Sequence, residues 1–180
     1  ASDVYKRQQF HLKVEIGENG KYGIVDSEGQ ISIPFKYDYI SGDLTALKRG
    51  VRIVRQYQIK YNAEMYGVID AKDSILLPLE YTSLIYDRES GFYIMEKLDQ
   101  LKDGTYNMDD IYVFNLLKQC GMFLVDRDGK LEIRVPAKYA EIRFSRCNYS
   151  VARKKDKYGV INIYNGEEII PCLLYTSPSP

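Results

Sequence analysis

Apolar and polar positions alternate over short runs of this chain, and turn residues separate the runs. Ile31-Ser32-Ile33 and Leu131-Glu132-Ile133-Arg134-Val135 alternate with period two, the signature of a strand with one buried face. Phe10 to Glu15 alternates ahead of the turn-like Gly17-Glu18-Asn19-Gly20, and Tyr149 to Arg153 alternates ahead of Lys157-Tyr158-Gly159. Val51 to Val54 and Phe92 to Met95 are the corresponding pieces elsewhere, so the pattern predicts three strands per unit. No segment carries a helical stripe of useful length. The expectation is an all-β chain.

The strands belong to a repeated phrase, KYGIVDSEGQISIPFKY at 21–37 and MYGVIDAKDSILLPLEY at 65–81. The first copy sets Tyr22, Gly23, Asp26, Gly29, Pro34 and Tyr37 at offsets that the second repeats as Tyr66, Gly67, Asp70, Asp73, Pro78 and Tyr81. A third copy near 121–139 keeps Asp126, Gly129, Pro136 and Tyr139, but Phe123 falls in the glycine slot and two extra residues separate Asp from Pro. A fourth, at 157–171, has Tyr158, Gly159, Asn162, Gly166 and Pro171. Glycine slots at 23, 67, 123 and 159 give spacings of 44, 56 and 36, so the hairpin is constant and the connectors vary.

Each repeated residue has a backbone reason. Asp opens a type I turn by accepting the following N–H groups, and Gly at the fourth place takes positive φ. Proline, with no N–H to donate, is expected to end pairing. The Tyr37, Tyr81 and Tyr139 column is expected to pack over the previous hairpin and cap it through the hydroxyl; an aromatic ladder for sugar or peptide is the alternative.

The phrase resembles the WG-repeat (KWG-repeat) family of bacterial proteins, whose unit reads K-W-G-[aromatic or aliphatic]-[IV]-D-x-x-G-[KE]-x-[IV]-[IV]-P-x-x-Y. KYGIVDSEGQISIPFKY, MYGVIDAKDSILLPLEY, VDRDGKLEIRVPAKY and KYGVINIYNGEEIIP carry the resemblance across most of residues 10–171. The family tryptophan is Tyr22, Tyr66 and Tyr158 here and is lost from the third copy. The resemblance implies a β-rich repeat architecture with no common catalytic activity and a binding or scaffolding role. Tandem hairpins or meanders stacked into an open, solenoid-like array are expected, with a closed, propeller-like arrangement as the alternative.

Composition narrows the function classes. The 180 residues carry 25 basic and 25 acidic side chains, without the basic excess of a nucleic-acid binder. The run Arg153-Lys154-Lys155, with Lys157, is broken by Asp156 and reads as a solvated turn. Tyrosine is abundant, 17 with 6 Phe and no Trp, and suits a half-buried sheet surface. Cys120, Cys147 and Cys172 form no metal-ligand spacing, and no apolar run approaches the roughly 20 residues of a membrane span. Residues 1–8 and 172–180 resemble translated sequencing-adapter sequence, which leaves 9–171 as the repeat domain.

Candidate chemistry is sparse. One acid per unit (Asp26, Asp70, Asp126, with Asn162 in the fourth) falls short of the six to eight oxygens calcium takes, so turn duty is expected and no metal site. His11, the single histidine, alternates with Phe10 and Leu12 as a surface residue. Neither a GxGxxG nor a P-loop pattern occurs, and no cofactor or catalytic residue is assigned. The expectation is a non-catalytic repeat module for protein or peptide partners. The alternative is a carbohydrate-binding or hydrolase-associated domain with its site in the 98–110 insertion (LDQLKDGTYNMDD), because long loops are often functional.

Overall fold

A computed structural model describes residues 12–41, 49–88, 90–99, 118–143 and 148–174. The described chain forms four antiparallel sheets, none closed into a barrel. The first holds β1 (Lys13–Ile16), β2 (Tyr22–Val25) and β3 (Ile31–Tyr37). The second holds β4 (Tyr39–Ile40), β5 (Val51–Gln58), β6 (Ala63–Asp70) and β7 (Ile75–Tyr81). The third holds β8 (Ser83–Tyr86), β9 (Tyr93–Leu98), β10 (Lys118–Val125) and β11 (Leu131–Tyr139). The fourth holds β12 (Glu141–Ile142), β13 (Tyr149–Lys154), β14 (Lys157–Asn162) and β15 (Glu168–Leu174). Within each sheet the strands lie in chain order, so every connection is local. The all-β repeat reading holds.

Three strands per unit were expected, and three of the four sheets have a fourth. It is a short strand that begins within two residues of the tyrosine ending the preceding hairpin. Backbone N–H groups of Asp38, Thr82 and Ala140 donate to the carbonyls of Arg55, Glu96 and Arg153 at 2.8, 2.8 and 2.7 Å. The chain thus leaves the last strand of one sheet and at once begins the first strand of the next. A strand of two to four residues shows no alternation, which is why the sequence pattern did not announce it.

The chain divides into two compact units, Ala1–Glu80 with Val125–Leu131, and Tyr81–Leu124 with Glu132–Pro180. In the first, Ile24, Ile33 and Tyr37 of the first sheet pack against Ile40, Val54 and Ile69 of the second. In the second, Phe92, Ile94, Met122 and Val135 pack against Ile142, Ala152 and Ile161. Burying each large aliphatic side chain contributes about 1.5–3 kcal/mol, a gain a lone hairpin would lack.

The prolines behave differently from expectation. Pairing runs through Pro34, Pro78, Pro136 and Pro171 rather than stopping, since all four lie inside β3, β7, β11 and β15. These are the outermost strands, where a missing N–H breaks no ladder bond. A bulge accompanies the proline in the register available: Tyr22 pairs with Tyr37 but Ile24 with Ile33, and Tyr158 pairs with Leu174 but Val160 with Ile170.

That bulge explains the repeat glycine. A Cβ on Gly23 would lie 2.8 Å from the Ile33 carbonyl oxygen, on Gly67 2.8 Å from that of Leu77, and on Gly159 2.4 Å from that of Ile170. In each case the carbonyl belongs to the residue before the proline. The third hairpin obeys the same rule with Gly121, whose Cβ would sit 2.6 Å from the Val135 oxygen. The glycine slot there is therefore Gly121, not Phe123. Both strands of that hairpin are two residues longer, and the true spacings are 44, 54 and 38 (67−23, 121−67, 159−121).

Candidate functional site

The repeated polar residues converge on two devices, a turn and a tyrosine latch. In the turn, Asp26 Oδ1 accepts the N–H groups of Glu28 and Gln30, both at 2.9 Å. Asp70 Oδ1 does the same for Lys72 and Ser74 at 2.7 and 2.8 Å, and Asp126 Oδ1 for Asp128 and Lys130 at 2.9 and 2.8 Å. Asn162 Oδ1 accepts from Tyr164 at 2.9 Å in a loop one residue longer. Burial pulls the Asp70 carboxyl upward, but the Ser74 and Lys72 N–H groups outweigh it and leave the pKa below its ordinary value. Gly29, Gly129 and Gly166 close their turns at φ of 79°, 84° and 73°.

Losing those two acceptor bonds defines a first prediction. Asp126→Ala should cost about 1–2 kcal/mol in denaturant melts, because two turn N–H groups lose a charged acceptor. A chelator should leave the melting temperature of the unaltered chain unchanged; a fall on chelation would instead make these carboxylates metal ligands. Among the described residues no group of three or more His, Cys, Asp or Glu is placed to hold a metal ion.

Asp73, the residue in the second copy's glycine slot, takes φ of 67° without being glycine. Its side chain gives the reason. Tyr37 Oη donates to Asp73 Oδ1 at 2.7 Å, and Lys36 Nζ pairs with Asp73 Oδ2. The tyrosine of the first hairpin therefore reaches forward to the turn of the next hairpin, not back over a previous one. The second instance is Tyr139, which donates to Glu168 Oε1 at 2.9 Å, with Lys154 and Lys138 paired to the same carboxylate. Lys36 lies 5.0 Å from the Tyr37 ring centroid, and Lys138 and Lys154 each 5.2 Å from that of Tyr139. Burial, reinforced by the bonded carboxylate, raises both phenol pKa values. Tyr37, Tyr81 and Tyr139 are 1%, 5% and 0% exposed, so their rings offer no ladder to a ligand.

Glu168 sets an acid limit on the second latch. The Lys154 ammonium, joined by the Tyr139 hydroxyl and Lys138, outweighs the upward pull of burial and holds its carboxyl below the ordinary 4.5. A folded value below the unfolded one gives stability that is full above about pH 4.5 and lost as pH falls through the folded value. Melting temperature measured from pH 6 down to pH 3 should fall less steeply in Glu168→Gln than in the unaltered chain.

The tryptophan position of the repeat is held by an aromatic or by Cys120. Tyr66 and Tyr158 lie under the Arg55 and Arg143 guanidiniums at 5.9 and 5.5 Å, and Tyr22 meets Tyr39 edge-on at 6.4 Å. Cys120 fills this position in the third sheet, directly before Gly121. Burial and the nearby Glu96 push its thiol up to about 12, which disfavours the thiolate a nucleophile needs. Cys172 lies within β15, buried, its thiol also raised by burial. The sequence reading also missed Arg52. It is 1% exposed on β5, with Nη1 donating to the Val51 carbonyl at 2.9 Å, and burial draws its pKa down to about 10.

The basic run resolves as a two-residue turn, Lys155-Asp156, between Lys154 and its partner Lys157. No helix among the described residues is long and apolar enough to cross a membrane. His11, Cys147, residues 1–8 and residues 100–110 of the insertion lie outside the described residues; Leu98 and Asp99 end the described part of that segment.

Local meanders, a turn acid and a forward tyrosine define a tandem β-repeat chain. It is similar to the family whose model is described as WG containing repeat, which matches residues 22–43 and 122–158. No curated protein matches the sequence. Among solved structures, the chain is similar to the orthorhombic form of Pyrococcus horikoshii acylaminoacyl peptidase, at 13% identity and a TM-score of 0.37. The likeness covers 88% of this chain and 29% of the peptidase.

Proposed function

We propose that this chain is a non-catalytic WG-type repeat module that binds protein or peptide partners. The observation that supports this reading is the fate of the repeated polar groups. The turn acids are occupied by turn N–H groups, and Tyr37 and Tyr139 by the acid of a neighbouring hairpin. Side chains spent on holding repeats together leave recognition to sheet edges, connectors and exposed aliphatic residues such as Ile31 and Ile75, both 61% exposed.

Selection of a random-peptide library against the immobilised chain, followed by calorimetry, tests the reading. Individual peptides binding with micromolar Kd support it. Turnover of glycosidic or ester substrates by the purified chain, with no peptide bound, would overturn it.

A further inference from the structure

We infer that Asn165 is a self-modification site. The chain closes a succinimide between Asn165 and Gly166, and hydrolysis leaves an isoaspartyl link that loosens the fourth hairpin. This chemistry is independent of what the module binds.

Asn-Gly occurs twice in the sequence, at Asn19-Gly20 and Asn165-Gly166, and both asparagines are exposed. Ring closure needs the nitrogen of the following residue to attack the asparagine side chain, and glycine has no Cβ to obstruct it. Gly166 N gives its proton to water and bonds to Asn165 Cγ. The Cγ–Nδ2 bond then breaks, and Nδ2 takes a proton from water and leaves as ammonia. Water next adds to one of the two imide carbonyls. Opening at the side-chain carbonyl gives an aspartyl product, and opening at the main-chain carbonyl gives the isoaspartyl one.

The two sites share most of their geometry. Each attacking N–H donates to a main-chain carbonyl, Gly20 to Gly17 and Gly166 to Asn162, both at 2.9 Å. Either loop must therefore open one bond before it can react. Each asparagine Oδ1 accepts the N–H two residues on, from Lys21 and from Glu167, both at 3.0 Å. That bond polarises the carbonyl under attack and stabilises the developing oxyanion.

The leaving nitrogens differ. Asn19 Nδ2 donates to the Phe35 carbonyl at 3.0 Å, which ties the side chain to β3. Asn165 Nδ2 donates to Glu167 Oε2 at 3.3 Å, an exposed contact inside its own loop. Breaking the tie to β3 slows ring closure at Asn19 by about fivefold, the rate equivalent of a hydrogen bond of about 1 kcal/mol.

The consequences differ as well. A Cβ on Gly20 would meet nothing within 4 Å, so the first loop has room for a longer backbone. A Cβ on Gly166 would lie 2.7 Å from the Arg134 carbonyl oxygen of β11. On the other side of Asn165, the Tyr164 carbonyl accepts from Arg134 Nη1 at 3.4 Å, and the Tyr164 ring meets Phe92 edge-on at 5.3 Å. An isoaspartyl link inserts a methylene into the backbone between these contacts, so the loop cannot keep both. Glu168 follows at the start of β15, and the displaced loop pulls on its bond to Tyr139.

The test ages the full chain in warm neutral buffer, once folded and once in concentrated urea, and peptide mapping by mass spectrometry counts the acid products at each site. Folded, Asn165 should convert about fivefold faster than Asn19, and in urea the two rates should agree within about twofold. Asn19 converting as fast as Asn165 in the folded chain overturns the assignment, as does a ratio that urea leaves unchanged. Asn165→Gln disfavours the five-membered ring, so it should keep its melting temperature through the ageing that lowers the parent's. An equal fall in both would overturn the link to the fourth hairpin. Asn165→Asp carries the acid without the longer backbone and should melt close to the unaged parent; melting as low as the aged parent would assign the damage to charge and overturn the backbone account.

Discussion

Phe123→Gly is expected to destabilise the chain by about 4 kcal/mol or more, although an alignment counted back from Asp126 makes it a restoration of the repeat glycine. Phe123 is 0% exposed and pairs with Tyr93 across β9 and β10. Its ring lies parallel to that of Tyr93 at 4.8 Å, and Tyr93 in turn tilts against Tyr86 at 4.7 Å. Glycine here opens a void the size of a phenyl ring, breaks the aromatic run and adds chain entropy to the unfolded state. Urea melts of the two proteins measure it. A variant as stable as the parent would return the glycine slot to position 123.

Gly121→Val is the complementary substitution, with an expected cost of about 3 kcal/mol. A Cβ at 121 meets the Val135 carbonyl oxygen at 2.6 Å, the Ala137 nitrogen at 2.7 Å and the Met95 Cε at 2.6 Å. Met95 is unbranched and can swing aside, but the two backbone atoms flank Pro136 on the facing strand β11 and cannot. Relief requires moving the β11 backbone away from β10, which strains the rest of the hairpin. The same urea melts apply, and a change below about 0.5 kcal/mol would mean the Val135 carbonyl does not press on this position.

These two substitutions mark where the sequence was readable and where it was not. Asp-x-x-Gly turns and alternating second strands were legible, because both are local: Asp26 bonds residues two and four positions on, and Ile31 and Ile33 share a face by spacing alone. Gly121 was hidden because the alignment was anchored on Asp126, at the tip, while the glycine is fixed by proline on the facing strand. Lengthening both strands by two residues preserves that facing pair and moves the tip. The symmetric insertion was visible as two extra residues before Pro136, and a search for two extra residues before Asp126 would have found it.

The latch was hidden for a different reason. Asp73 looked like a glycine slot that had decayed, since sequence alone shows only the strain of a non-glycine residue at positive φ. Its benefit lies 36 residues away in Tyr37. Likewise the short strands β4, β8 and β12 gain their meaning from the sheet they enter, and the buried Arg52 sits in a run that reads as an ordinary strand. Interactions within a hairpin were written in spacing; those between hairpins were not.

Tyrosine of one hairpin holds the acid of the next, and a double-mutant cycle on Tyr37→Phe and Asp73→Gly measures that coupling. Asp73→Gly alone removes the acceptor and relaxes the backbone, two effects of opposite sign; the cycle cancels the backbone part and keeps the pair. The expected coupling is about 1–2 kcal/mol, the worth of a half-buried hydrogen bond to a carboxylate. Free energies of the two single variants that simply add, within about 0.3 kcal/mol, would contradict it.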